Sequence, residues 1–304
     1  MTESKYPDAP IRLVIPFPPG GSTGYTAKVL ADALPAVLGA PVTLDPQPGK
    51  FGINAIAELV GRAEGRTLMV GSIITNSMTP VWHRDDIAFD YEREIVPVTR
   101  LADFPSVVMV NSAARADTLA DFIADVKRDG ARLTLGADFV GSFGDVDAVM
   151  LAEATGVEIA FHSNPDGANG LLQDLLTGKS NFAFLNVATA SANVGRFKPL
   201  AVTGPARLAN FPDVPTMAEA GFSGIGTINW QGLFASRRIS ADMLAALHRA
   251  AVAAMESAPS QAAIAKVSAA VNTSASPDTF AAAIKTEMER WELLRPQIMA
   301  LSRE

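Results

Sequence analysis

Ile11-Arg12-Leu13-Val14-Ile15-Pro16-Phe17, followed directly by Pro18-Pro19-Gly20-Gly21-Ser22-Thr23-Gly24, decides the fold class. The first seven residues are short, apolar and rich in β-branched side chains, which reads as a buried strand. The Pro/Gly segment is a turn. Ala27, Leu30, Ala31, Leu34 and Leu38 then recur at helical spacing until Gly39 stops the helix. Val42-Thr43-Leu44, a Gly/Pro loop, a helix through Ile56 and Leu59, and Thr67-Leu68-Met69-Val70-Gly71 extend the alternation. Strand, helix, strand, helix, strand with short loops is the pattern of a parallel α/β sheet covered on both faces.

The pattern restarts near Ser106. Val107–Val110, Leu133–Gly136, Val157–Phe161, Phe182–Phe184 and Pro199–Thr203 read as strands. Helices are predicted over Leu119–Val126 and around Val146–Glu153, and Leu171, Leu172, Leu175 and Leu176 form the apolar stripe of a helix that ends at Gly178. Trp230–Ala235 is a further strand, and the rest is mostly helical, over Ser240–Met255 and Asp278–Met299. In the last helix Phe280, Ile284, Met288, Trp291 and Leu294 are spaced as one buried stripe. These helices lack a sheet of their own, so they are expected to return to the first α/β unit. The expected domains are 1–103 plus 228–304, and 104–227. The chain would cross near Leu101–Phe104 and again near Thr227–Gln231, forming a hinge beside a cleft that can close.

The chain has 304 residues, 48% hydrophobic and 19% charged, which suits a compact protein of about two domains. Lys+Arg number 25 against Asp+Glu 32, a net charge of −7 that argues against nucleic acid or an anionic membrane as partner. Cys is 0, so disulfides, thiolate nucleophiles and zinc–cysteine sites are excluded. No stretch reaches the ~20 apolar residues that span a bilayer. Met1–Asp8 is polar and lacks the apolar stretch of a signal peptide. That fits either a cytoplasmic protein or a chain whose leader has been removed.

The loops carry the candidate chemistry. Phe17, Gly20, Gly21, Ser22 and Thr23 lie where a strand delivers the chain to a helix start, so backbone N–H groups and the helix dipole favour an anion there. No Walker lysine follows, and no G-x-G-x-x-G occurs. An ordinary βα turn is the plainer alternative. Ser72, Thr75 and Asn76 follow the third strand, at the carboxyl edge where ligands bind in open α/β sheets. They could equally cap the next helix. In the second unit the corresponding loops bring Phe139, Gly141, Ser142, Phe143 and Asp145, then Asp166, then Asn186. Each Asp could instead serve as an N-terminal helix charge. His83, His162 and His248 are scattered without metal-ligand spacing, and no G-x-S-x-G occurs. No cofactor, metal or catalytic residue is expected.

The opening Tyr6-Pro7 … Pro10 to Gly21 resembles the periplasmic solute-binding proteins of the tripartite tricarboxylate transporters, the Bug family. Leu38-Gly39-Ala40-Pro41-Val42, Ala88-Phe89-Asp90, Val96-Pro97-Val98 and Leu175-Leu176-Thr177-Gly178 match in order. So do Leu200-Ala201-Val202-Thr203, Phe211 to Gly221 with its Pro-Asp-Val-Pro-Thr core, and Trp230 to Ala235. The resemblance implies a two-domain, periplasmic-binding-protein-like (Venus flytrap) fold and a periplasmic location. It implies capture of a small organic acid in the cleft, delivery to membrane transporter subunits, and no catalysis. It also implies that the loops at Phe17–Thr23 and Ser72–Ser77 hold a ligand carboxylate. A monomer is expected.

Several positions depart from the family pattern. Gly24 replaces the usual Asp, and Phe51 replaces a Gly in Pro48-Gly49-Lys50-Phe51-Gly52. Asp145 and Asp166 stand where relatives have His and Lys, and Phe139 and Phe143 add apolar surface. These departures predict a ligand with at most one carboxylate and an apolar, aromatic or hydrogen-bond-donating far end. A cytoplasmic α/β enzyme acting on a carboxylated or phosphorylated substrate is the alternative. A receptor that signals without transport would share all these features.

Overall fold

The computed structural model describes residues 7, 9–18, 21–62, 65–137, 141–163 and 167–301. The chain divides into two units, one formed by residues 1–103 and 230–293, the other by 104–229 and 294–304.

In the first unit β1 (Ile11–Ile15) leads to α1 (Ser22–Leu38), which ends on Gly39 in the left-handed conformation that glycine tolerates best. β2 (Val42–Pro46), α2 (Ile53–Val60) and β3 (Thr67–Ser72) follow. β2 and β3 both pair parallel with β1. Arg12 on β1 bridges Asp45 of β2 and Glu58 of α2, and this holds the Glu58 carboxyl below its usual range. A π-turn at Ile74–Met78 runs into the short α3 (Thr79–Trp82), and α4 (Tyr91–Glu94) precedes β4 (Ile95–Phe104).

The second unit runs β5 (Ser106–Asn111), α5 (Leu119–Arg128), β6 (Leu133–Ala137), α6 (Phe143–Thr155), β7 (Ile159–Ser163), α7 (Gly167–Thr177), β8 (Phe182–Asn186), α8 (Val187–Ala192) and β9 (Phe197–Val202). The strand order is β7-β6-β8-β5-β9. β6 pairs parallel with β7 and β8, whereas β5 is antiparallel to β8 and β9. One side of this sheet packs Leu119, Phe122, Leu151 and Phe182; the other packs Leu171, Leu175, Val187 and Phe197.

The chain then forms β10 (Asn229–Ser236), α9 (Ala241–Glu256), α10 (Ala258–Lys266), β11 (Ala270–Val271) and α11 (Pro277–Leu301). The first sheet is ordered β11-β4-β10-β3-β1-β2. It is mixed rather than wholly parallel, because β10 runs antiparallel to β3 with Gln231 opposite Ser72. α9 and α10 pack on α1, and the Tyr25 hydroxyl donates to the carbonyl of Ala263 at 2.8 Å. Phe280, Ile284 and Trp291 of α11 are buried, and Phe280 packs edge-on against Trp230 with ring centroids 5.2 Å apart. His248 is structural: its Nε2 lies 2.9 Å from the carbonyl oxygen of Ser274.

Candidate functional site

Parallel pairing of β1, β2 and β3 puts their carboxyl ends at one edge of the first sheet. α1 starts at that edge. Its cap is Gly21, extended at φ −82° and ψ 176°, which makes no side-chain capping hydrogen bond, and no acidic residue occupies the first turn. The positive end of a 17-residue helix is therefore not offset by a carboxylate of its own first turn. Ser22 is partly exposed, Thr23 and Gly24 are buried, and Phe17 is partly exposed ahead of them.

Gln231, expected in the strand Trp230–Ala235 and at a domain crossing but not as a site residue, belongs to this edge. The antiparallel β10 sets it opposite Ser72, and its Nε2 donates to Ser22 Oγ at 3.3 Å. It is fully buried. A polar side chain inside the apolar run Trp230–Ala235 was the available signal.

The loop after β3 is turned inward. Ser72, Thr75, Asn76 and Ser77 are all buried. The backbone N–H of Ser72 donates to Thr75 Oγ1 at 2.9 Å, and Thr75 Oγ1 donates to Asn76 Oδ1 at 2.6 Å. Asn76 Nδ2 donates to the Tyr91 hydroxyl at 2.7 Å, which donates back to the Asn76 carbonyl at 3.2 Å. Burial pushes the Tyr91 phenol well above its ordinary range, so it stays a protonated donor. Ser77 Oγ accepts from the indole of Trp291 at 2.7 Å. The hydroxyls and amide expected to face a ligand thus build the loop's scaffold.

Between these two segments lies the turn after β2. Gly49, Lys50, Phe51 and Gly52 all have positive φ. Thr79 Oγ1 donates to the Phe51 carbonyl at 2.9 Å. The Phe51 ring stacks on His83, with centroids 4.0 Å apart and planes inclined by 13°. Burial lowers the His83 pKa, an effect opposed by Asp86, whose Oδ2 lies 3.5 Å from Nδ1.

In the second unit the parallel strands β6, β7 and β8 likewise end at one edge. Gly141 has φ +93° and is buried. Ser142 caps α6, and Asp145 reaches back to accept from the backbone N–H groups of Gly141 at 2.6 Å and Ser142 at 3.0 Å. This capping box leaves Asp145 fully buried. Asp145 thus takes the helix-terminus role that was the alternative reading of this residue. Asn186 caps α8, its Oδ1 accepting from the Thr189 N–H at 2.9 Å. Phe143 opens α6, partly exposed. Gly20, Phe139 and Asp166 lie outside the described residues.

Among the described residues no group of three His, Cys, Asp or Glu could hold a metal ion, and no helix is long and apolar enough to cross a membrane. The described chemistry at these edges is hydrogen bonding and dipolar attraction for an anion.

Comparison with known proteins agrees with this chemistry. Residues 26–298 match the tripartite tricarboxylate transporter family receptor, TctC. The chain is 29% identical over 289 residues to protein BugT of Bordetella pertussis, spanning 94% of this chain and 88% of that protein. An R. palustris protein solved with adipate superimposes with a TM-score of 0.83 at 25% identity, covering 96% of this chain and 98% of the other. A solved periplasmic transporter protein gives a TM-score of 0.81 at 26% identity over 94% and 96% of the two chains. The enzyme alternative finds no support in these relatives. The fold is that of the periplasmic binding proteins, and the chain belongs to the TctC family, the solute-binding receptors of tripartite tricarboxylate transporters.

Proposed function

We propose that this protein works in the periplasm as a monomer and captures a small organic acid for a tripartite transporter, with a ligand carboxylate received at the start of α1. The observation that carries this reading is the glycine cap of α1. At the corresponding edge of the second unit, α6 and α8 satisfy their own first turns through Ser142, Asp145 and Asn186. α1 begins on Gly21 with neither a capping side chain nor an acidic residue in its first turn. An anion at such a helix start is met by backbone donors and by the positive end of the dipole. The adipate bound by the R. palustris relative supports a carboxylate as that anion.

A thermal-shift screen of mono- and dicarboxylates, with matched alcohols and amines, tests the proposal. A ligand at a hundred times its Kd adds ~2.7 kcal/mol to stability and raises the melting temperature. Stabilisation by at least one acid, absent for its matched alcohol, is the expected result. A flat response across the acids, or equal response to the alcohols, overturns the reading.

A further inference from the structure

The turn between β2 and α2 departs from the usual backbone rules. Four consecutive residues, 49–52, have positive φ, and two of them carry side chains: Lys50 at +47° and Phe51 at +53°. A bulky residue in that region is unfavourable, because its Cβ crowds its own backbone. Glycine would fit there without strain. The strain is held by neighbours. Asn54 Nδ2 donates to the Pro48 carbonyl at 3.0 Å, the Gly52 N–H to the Gly49 carbonyl at 3.0 Å, and Thr79 Oγ1 to the Phe51 carbonyl.

The same turn sits at the ligand-binding edge of the first sheet. A Cβ on Gly52 would meet Pro16, at the end of β1, and Thr75, in the loop after β3. The turn is therefore wedged between the two segments already described. From that position Phe51 leaves 39% of its surface exposed while one ring face lies on His83. An apolar ring kept in a strained backbone, partly open to solvent, contributes less to the core than its cost would justify. Strain maintained in this way at a strand-end loop points to a role in recognition.

We propose that the Phe51–His83 stack is a specificity-determining platform that favours acids bearing an aromatic or other flat apolar group over aliphatic dicarboxylates; this rests on the reading that a ligand carboxylate is received at the start of α1. The ring supplies a flat apolar face of the kind that pairs with another ring. Burial keeps the imidazole toward its neutral form, so the platform does not add a second cation for a second carboxylate. Arg84, next in sequence, is held by Glu292 at 2.7 Å. Lys50 is exposed on the same turn and is the competing recognition group, for the far carboxylate of a diacid.

Calorimetry on the full chain with 3-phenylpropanoate, hexanoate and adipate tests the proposal, using wild type, Phe51→Leu, Phe51→Gly and Lys50→Gln. Phe51→Gly suits the left-handed backbone, so loss of binding in that variant is not loss of folding. The expected result is tightest binding of 3-phenylpropanoate by wild type. Both Phe51 variants should lose about three- to tenfold for that ligand, the scale of one aromatic contact, with hexanoate and adipate changed less than twofold. Lys50→Gln should leave the order of the three acids unaltered. Equal losses for all three acids, no loss, or an adipate preference removed by Lys50→Gln overturns the platform while the carboxylate reading stands. Failure of wild type to bind any of the three overturns the platform together with the reading beneath it.

Discussion

Asp147 holds Thr227 by both its backbone and its side chain, although the two are 80 residues apart in sequence. The Thr227 N–H donates to Oδ2 at 2.8 Å and to Oδ1 at 3.0 Å, and its hydroxyl donates to Oδ1 at 2.7 Å. The Gly226 N–H adds a longer bond of 3.3 Å. Both residues are buried, so α6 fastens the last stretch of chain before β10 by a carboxylate that accepts from several donors at once.

Truncating that carboxylate leaves buried donors without their acceptor. Asp147→Ala should destabilise the second unit by roughly 3 kcal/mol, and Asp147→Asn by less, since one acceptor oxygen remains. Trp82, Trp230 and Trp291 all lie in the first unit. Urea unfolding followed by far-ultraviolet circular dichroism should therefore show the loss, even where tryptophan fluorescence barely moves. Equal dichroism midpoints for wild type and Asp147→Ala would remove the staple from the stability account.

Glu287 makes a second prediction, with a pH dependence. Its carboxylate accepts from the Trp230 indole at 3.1 and 2.9 Å, yet burial outweighs this and raises its pKa above the ordinary glutamate value. The folded value thus exceeds the unfolded one. Its contribution to stability is full below the unfolded value and declines as pH climbs through the folded value. Glu287→Gln keeps a carbonyl for the indole and removes the charge. The variant should gain on wild type as pH rises from the ordinary glutamate range toward neutral. Paired thermal melts across that range check the sign; a constant difference would contradict it.

The regular elements were legible because burial and periodicity agree in them. Ile11–Ile15 and Thr67–Ser72 are buried and apolar, and α1 stops at Gly39 as its spacing demands. β4 was not legible. It is buried along nearly its whole length, so it shows no alternation, and Pro97 argues against a central strand. β11 pairs β4 only at Ala102 and Asp103, so that pairing does not reach Pro97. α10 lies beyond the helix expected over Ser240–Met255, and its Pro259 sits in the first turn behind the Ser257 cap, where proline is tolerated. In the site, residue type revealed polarity but not direction. Thr75 and Asn76 look like ligand donors in sequence, yet Thr75 Oγ1 donates to Asn76 Oδ1 and Asn76 Nδ2 to the Tyr91 hydroxyl, inside a π-turn that no local spacing announces.

That inward network gives a third prediction. A methyl group on Gly71 would collide with the Asn76 amide, which is braced by Thr75 and Tyr91 and has little room to retreat. Gly71→Ala should cost roughly 1–3 kcal/mol through overpacking. Because the same loop supports the carboxyl edge, ligand affinity should fall with it. A Gly71→Ala protein with wild-type melting temperature would show that the loop can repack.

The last prediction isolates the backbone donor at the start of α1. Gly21 has φ −82°, close to the angle proline imposes, and a Cβ placed there meets nothing within 4 Å. Both Gly21→Ala and Gly21→Pro should therefore fold, and they differ in the one atom of interest. Alanine keeps the N–H; proline removes it. If the Gly21 N–H donates to the ligand carboxylate, Gly21→Pro should weaken binding of the best acid from the thermal-shift screen by about tenfold, the scale of one hydrogen bond to a charged group. Gly21→Ala should stay within about twofold of wild type, since backbone N–H and helix dipole are intact. Calorimetry on the three proteins reads this directly. Equal affinities for alanine and proline variants would show that the carboxylate takes its hydrogen bonds from other groups at this edge, with Ser22 Oγ, already touched by Gln231, the next donor to test.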